Sequence, residues 1–145
     1  MIVRIFIYIF FSIALLSSKV LIPQNRMGAE KLNISGKDRM YYRLNYNVYN
    51  VKGPSKIVAY TRMAVPKNER RENIYSINLE LAGAESKFET IFNFNNKIDF
   101  SVKSNLHPMH LYTKSGKVEF DIPNGEHELI SVSYTHLTLP TICSV

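Results

Sequence analysis

His107 and His110 are the side chains in this sequence best suited by type to grip a metal ion or move a proton near neutral pH. Three residues apart on a helix, they would share a face. Pro108 stands between them, and the setting reads as a turn entering a strand, where positions i and i+3 point to opposite sides. A zinc site also needs a third or fourth ligand, and only His127 and scattered carboxylates are on offer. The pair therefore reads as two exposed polar residues, with no metal. Glu119 and Asp121 alternate with Val118 and Phe120, so both carboxylates share a solvated face. Paired carboxylates can act as acid and base at a glycosidic bond, but nothing in the sequence sets these two, or Asp99, in a cleft. No Gly-x-Ser-x-Gly elbow, Walker loop or Rossmann glycine pattern occurs. No catalytic residue and no cofactor are expected.

Aromatic side chains carry the remaining signal. The plainer reading is that aromatics favour strands and fill antiparallel cores. The functional reading is that a curved sheet encloses an apolar cavity that admits a lipid or another hydrophobic ligand. Tyr42, Tyr46, Phe92, Phe94 and Phe100 are the residues expected to line it. Lys67, Arg70 and Arg71, mixed with Glu69 and Glu72, read as a solvated loop.

The elements that would position these groups are strands, because the dominant period is two. Met40, Tyr42, Leu44, Tyr46 and Val48 alternate with Tyr41, Arg43, Asn45, Asn47 and Tyr49, which predicts one long strand with the first set inward. Lys52-Gly53-Pro54-Ser55 reads as a turn. A strand over Lys56–Val65 follows, with Ile57, Ala59, Met63 and Val65 on one face, and Pro66 ends it. Tyr75, Ile77, Leu79 and Leu81 mark the next strand, closed by Gly83. Glu85–Phe94 reads as a short helical or irregular lead into a strand, and Lys97–Val102 alternates again. Met109–Thr113 and Lys117–Ile122 read as a hairpin about Ser115-Gly116, and Pro123-Asn124-Gly125 as a turn toward Glu128–Ile130. All six glycines fall outside these predicted strands. The expected fold is all-β, an antiparallel meander that curls into a barrel or half-barrel.

Both ends of the chain read differently from its middle. Met1–Arg4 carries one positive charge, and Ile5–Leu16 is apolar apart from Ser12. That run is too short to span a bilayer, which takes roughly 17–25 residues, and it fits a secretory signal-peptide helix over residues 1–18. Leu16 at the −3 position makes a poor cleavage site, so an uncleaved anchor is the alternative. Residues 19–38 are read as a lead-in and 39–131 as the β domain. From Val132 to Val145 there is no Asp, Glu, Lys or Arg. Val132-Ser133-Tyr134-Thr135-His136-Leu137-Thr138-Leu139-Pro140-Thr141 looks like a translated sequencing adapter. Residues 132–145 are therefore expected to be a non-native tail, with the natural β domain longer than the part present. Cys143, the only cysteine, lies in that tail, which leaves no disulfide in the native part.

The run from Arg39 to Val51, the strand Tyr75–Leu81, and Phe92-x-Phe94 with Ile98-Asp99-Phe100 lead into Leu106-x-Pro108-x-x-Leu111. Over about Lys31 to Phe120 this pattern resembles the secreted bacterial family catalogued as domain of unknown function 3108. The resemblance implies an all-β envelope domain without established catalytic residues. This chain departs from the pattern at Gly53-Pro54 and around Glu85.

The formal charge of +6 is spread among carboxylates instead of forming a stripe, so no nucleic-acid partner is expected. Membrane contact is expected only through an uncleaved leader or peripherally. The functional expectation is an exported, periplasmic or envelope domain, non-catalytic, that binds a hydrophobic ligand or an envelope protein partner. The alternatives are a structural or assembly module, or an enzyme whose catalytic residues lie in the missing C-terminal part.

Overall fold

The computed structural model describes residues 19–24, 28–43, 46–68, 72–82, 88–133 and 138–144. The leader expected over residues 1–18, most of the charged loop and the lead from Glu85 to Lys87 lie outside the described residues. Among those described there are ten strands and no helix. They are β1 (Lys19–Leu21), β2 (Ala29–Ile34), β3 (Lys37–Tyr42), β4 (Tyr46–Pro66), β5 (Ile74–Ala82), β6 (Phe88–Asn95), β7 (Val102–Ser104), β8 (His110–Tyr112), β9 (Gly116–Ser133) and β10 (Thr138–Ser144). The larger sheet runs β1-β10-β4-β9-β5-β6, with β8 also on β4, and the smaller sheet runs β3-β2-β7. Every strand pairing is antiparallel. Among the described strands only β5-β6 and β3-β2 pair neighbours in sequence, so the order departs from a simple meander.

Two segments that look like turns in the sequence lie inside long strands. β4 runs for 21 residues through Lys52–Ser55, and β9 for 18 residues through Pro123–Gly125. The two segments face each other. Gly53 pairs with Gly125 and Ser55 with Ile122, so Pro54 alone in β4 opposes Pro123 and Asn124 in β9. Two residues against one is a β-bulge, which bends a strand without reversing it. Neither proline has an N–H to give the ladder, and the bulge is where a strand tolerates one. The extra residue also switches the buried parity of β9. Val118, Phe120 and Ile122 point inward before it, Leu129 and Ser131 after it. A break in phase beside Pro-Asn-Gly is also what a turn would give, which is why the sequence reads as one. Gly53 is required here, since a Cβ would stand 1.8 Å from the Pro123 carbonyl oxygen.

The bend lets the larger sheet close over itself. Thr61 lies about fifteen residues beyond Tyr46 on β4, roughly 50 Å along a straight strand. β5 pairs across β9 at the Tyr46 end, yet Tyr75 of β5 places its hydroxyl 3.0 Å from Thr61 Oγ1 and donates to the Thr61 carbonyl at 3.2 Å. Only a coiled sheet brings those groups together. Between its halves lies one apolar core of Tyr49, Val51, Ile57, Ala59, Met63, Val65, Tyr75, Ile77, Leu79, Leu81, Val118, Phe120, Ile122 and Leu129. The path ends openly at β1 and β6, which makes a half-barrel. The inward faces expected for Ile57–Val65 and Tyr75–Leu81 are those found.

The long strand expected from Met40 to Tyr49 divides instead. β3 belongs to the smaller sheet and β4 to the larger, and Asn47, Tyr49 and Val51 face inward while Tyr46 is 57% exposed. Aromatics on both faces of this stretch conceal the phase. Ser115-Gly116 is not a hairpin, because β8 and β9 lie end to end along β4, at Pro66–Ala64 and then Thr61–Tyr46. Gly116 lets the strand pass Phe94, whose ring atoms would stand 2.6 Å from a Cβ there. Phe88–Asn95 is strand throughout, so no helical turn leads into Phe94. Lys97–Val102 supplies only the bridge Ile98↔Thr113 before a turn at Phe100 and Ser101.

Candidate functional site

The smaller sheet packs on the opposite side of β4 from the main core. β2 and β3 arise largely from residues 29–38, read from sequence as a lead-in, and the inner face of β2 carries Glu30 and Leu32. Leu32, Tyr41, Ala64, Val102 and Tyr112 form a second apolar cluster there. Two buried charges sit at this joint, Glu30 and Arg62, and nothing in the sequence marks either.

Glu30 is 4% exposed. Its Oε1 accepts from Ser104 Oγ at 2.6 Å and from the Tyr112 hydroxyl at 2.5 Å, and lies 3.1 Å from His107 Nδ1. Burial disfavours the carboxylate, but the bonds from Ser104, Tyr112 and His107 outweigh it, and the Glu30 pKa lies below its ordinary value. Burial first, and then the Glu30 carboxylate, push the Tyr112 hydroxyl pKa upward. Ser104 Oγ also accepts from the His107 N–H at 3.0 Å, which fastens the turn to the carboxylate.

Arg62 is 6% exposed and lies on the same side of β4. Its Nε donates to the Tyr41 hydroxyl at 3.2 Å, and its Nη1 to Asp99 Oδ2 at 3.2 Å and the Thr113 carbonyl at 2.8 Å. Asp99 Oδ1 accepts from Ser101 Oγ at 2.6 Å and Ser101 N–H at 3.1 Å. Those Ser101 bonds, with Arg62 beside them, hold the Asp99 carboxyl below its ordinary pKa. Asp99 is thus a structural counter-ion. Glu119 is exposed and pairs with Lys117 at 3.0 Å and Lys56 at 3.7 Å, and Asp121 is also exposed.

The structure brings His107 and His110 together, against the expectation of opposite faces. Their rings stack with centroids 4.9 Å apart and planes 13° from parallel, and Tyr112 meets His110 edge-on at 6.4 Å. Each imidazole lone pair lies in the plane of its own ring. Two near-parallel, stacked planes do not meet at a metal, so this arrangement cannot chelate one. Among the described residues no group of three His, Cys, Asp or Glu side chains is placed to hold a metal ion. Ser104 is 5% exposed, and its hydroxyl donates to Glu30 and accepts from His107 N–H. The cluster's chemistry is to lock the smaller sheet onto β8 through a partnered buried charge.

The five aromatics proposed as a cavity lining are dispersed. Tyr42 is buried in β3, Phe92 and Phe94 pack on the main core, and Tyr46 and Phe100 are 57% and 77% exposed. Phe94 stacks on Tyr75 at 5.0 Å. Two clefts lie elsewhere. One, of about 590 Å³, is lined by Asn50, Val51, Lys52, Ala82, Glu126, His127 and Glu128. The other, of about 420 Å³, is lined by Lys31, Asn33, Asp38, Lys103, Asn105 and Leu106. None of the five aromatics borders either cleft. No helix among the described residues is long and apolar enough to cross a membrane.

No family model matches this chain, and no curated protein matches it. Solved structures with a distant likeness include a family GH115 4-O-methyl-α-glucuronidase with specificity for decorated arabinogalactans, at 8% identity and a TM-score of 0.43 over 81% of this chain. Another is the exo-β-1,3-galactanase of Phanerochaete chrysosporium, at 13% identity and a TM-score of 0.41 over 89% of this chain. The matches span 16% and 26% of those two chains, respectively.

Proposed function

We propose that this chain is a non-catalytic binding domain of the cell envelope, exported by its N-terminal leader, that engages a protein partner through side chains on its surface. Its resemblance to the secreted family catalogued as domain of unknown function 3108 supports the envelope setting. The observation that carries the partner form over the enclosed-ligand form is the packing of the half-barrel. Tyr49 and Tyr75, the largest side chains facing the fold of the sheet, are fully buried against Leu79 and its neighbours, while Tyr46, Ile91, Phe100, Leu106 and Met109 stay outside. Bulky apolar groups that remain in water are available for contact.

The test is recovery from envelope extracts with the whole chain as bait, run beside solvent extraction and native mass spectrometry of the same preparation. The expected result is a stoichiometric protein partner, lost when Phe100, Leu106 and Met109 are each replaced by Asp, and no bound lipid mass. A lipid that copurifies with the wild-type and triple-substituted chains alike would return the function to a hydrophobic ligand.

A further inference from the structure

We propose that the edge of β4 from Ile57 to Met63 is a strand-acceptor site whose native occupant is the segment following Ser131 in the natural chain. The proposal rests on reading Val132–Thr141 as adapter-derived, and it adds where the replaced segment belongs.

Thr138–Ser144 pairs antiparallel with β4 over seven consecutive positions, from Thr138↔Met63 to Ser144↔Ile57. On the adapter reading this tail was never selected to pair with anything. It also carries Pro140 opposite Thr61, where the ladder loses an N–H. What holds such a segment is the main chain of β4, and strand addition is tolerant of sequence because main-chain bonds supply much of its affinity.

The accepting edge is also unguarded. Proteins protect exposed edges with charges, prolines, bulges or very short strands. Ile57-Val58-Ala59-Tyr60-Thr61-Arg62-Met63 is rich in residues that favour strands and has no proline. Its one charge, Arg62, is buried in bonds to Tyr41, Asp99 and Thr113 and so cannot guard the edge. The bulge of β4 lies below it, at Gly53–Ser55. By contrast, the free side of β3 presents Lys37, Asp38 and Arg39. An unguarded seven-residue edge on the longest strand is the signature of a strand that is normally covered.

The occupant follows from reach. β9 ends at Ser133 and β10 begins at Thr138, opposite Met63, so only four residues of sequence separate the two strands. The coil of the sheet has already brought these two places together. The natural continuation of β9 therefore arrives at this edge without a long crossover.

The experiment compares three chains by amide hydrogen exchange: the 145-residue chain, one ending at Ser131, and one carrying the natural continuation read from the uninterrupted gene. In the chain ending at Ser131, alternate amides within Ile57–Met63 are expected to exchange roughly tenfold or more faster, while Ile77–Leu81 stay protected. The natural continuation is expected to restore that protection at every protein concentration tested. Should the shortened chain unfold throughout, the other two decide, with slower or equal exchange expected from the natural continuation. Exchange at Ile57–Met63 that is fast in the natural chain while Ile77–Leu81 remain protected would overturn the proposal. Protection that grows with protein concentration would give the edge to a second copy and overturn the assigned occupant. An uninterrupted gene that encodes Val132–Val145 in frame would sink the adapter reading instead, and leave Thr138–Ser144 as the occupant in place of the proposed one.

Discussion

The two faces of β4 are buried by different means. On one side, fourteen apolar residues from β4, β5 and β9 pack across the coiled sheet, and a bond from Tyr75 to Thr61 ties its halves. On the other side only five buried apolar residues meet, and two buried charges flank them. Apolar packing is non-directional and scales with area. A buried charge is held only while each partner stays in place, and losing one partner costs more than the pair contributes. One face of the same strand is thus tolerant of side-chain detail, and the other is exacting.

The largest expected effect tests the joint on which the main core depends. Replacing Gly53 with Val drives a side chain into the Pro123 carbonyl, and should cost roughly 4 kcal/mol or more. Urea denaturation should find little folded protein. Next comes the second face. Glu30→Ala leaves the Tyr112 and Ser104 hydroxyls without their acceptor and should cost about 3 kcal/mol. If it costs no more than a surface substitution, the contrast between the faces fails.

Acid sharpens the same contrast. Glu30 and Asp99 ionise below their ordinary 4.5 and 3.8 in the folded chain. The unfolded chain therefore takes up protons first as pH falls, and stability drops. The contribution is complete above the ordinary values and disappears as pH falls through the depressed folded ones. Thermal melts from pH 7 to pH 3 should show this loss, and Glu30→Gln should make it shallower. Tyr75→Phe removes the hydroxyl that bonds to Thr61 and should cost only about 1 kcal/mol, with no change in the acid limb. Smallest of all, Phe100→Ser should stay within about 0.5 kcal/mol, because that ring packs on little.

Period two made most of the main core legible. Ile57–Val65 and Tyr75–Leu81 each bury the face that alternation assigns them, and Pro66 ends its strand. Alternation fails where a local signal has two causes. Gly53-Pro54 and Pro123-Asn124-Gly125 carry the composition of turns, and only their mutual pairing shows a bulge. The stretch from Met40 to Tyr49 bears aromatics on both faces, so its pattern fits either phase. The buried joint was beyond reach for another reason. Glu30 meets its partners 74 to 82 positions along the chain, and nothing in a lone acidic residue near Gly28 announces that distance. His107 and His110 stand out by type, but strand parity misplaces them, since His107 sits in a turn before β8 begins.

The odd residue at Pro123-Asn124 acts as a frame setter for everything after it in β9. With one of the two deleted, Ile122 and Leu129 would stand an even number of places apart, so a regular ladder would keep both inward and only the bend would be lost. Deleting both would put them an odd number apart, and Leu129 could stay inside only by leaving Pro54 of β4 unopposed. Loss of one residue at this point should therefore be accepted more readily than loss of two, a rule that no side chain in the segment spells out.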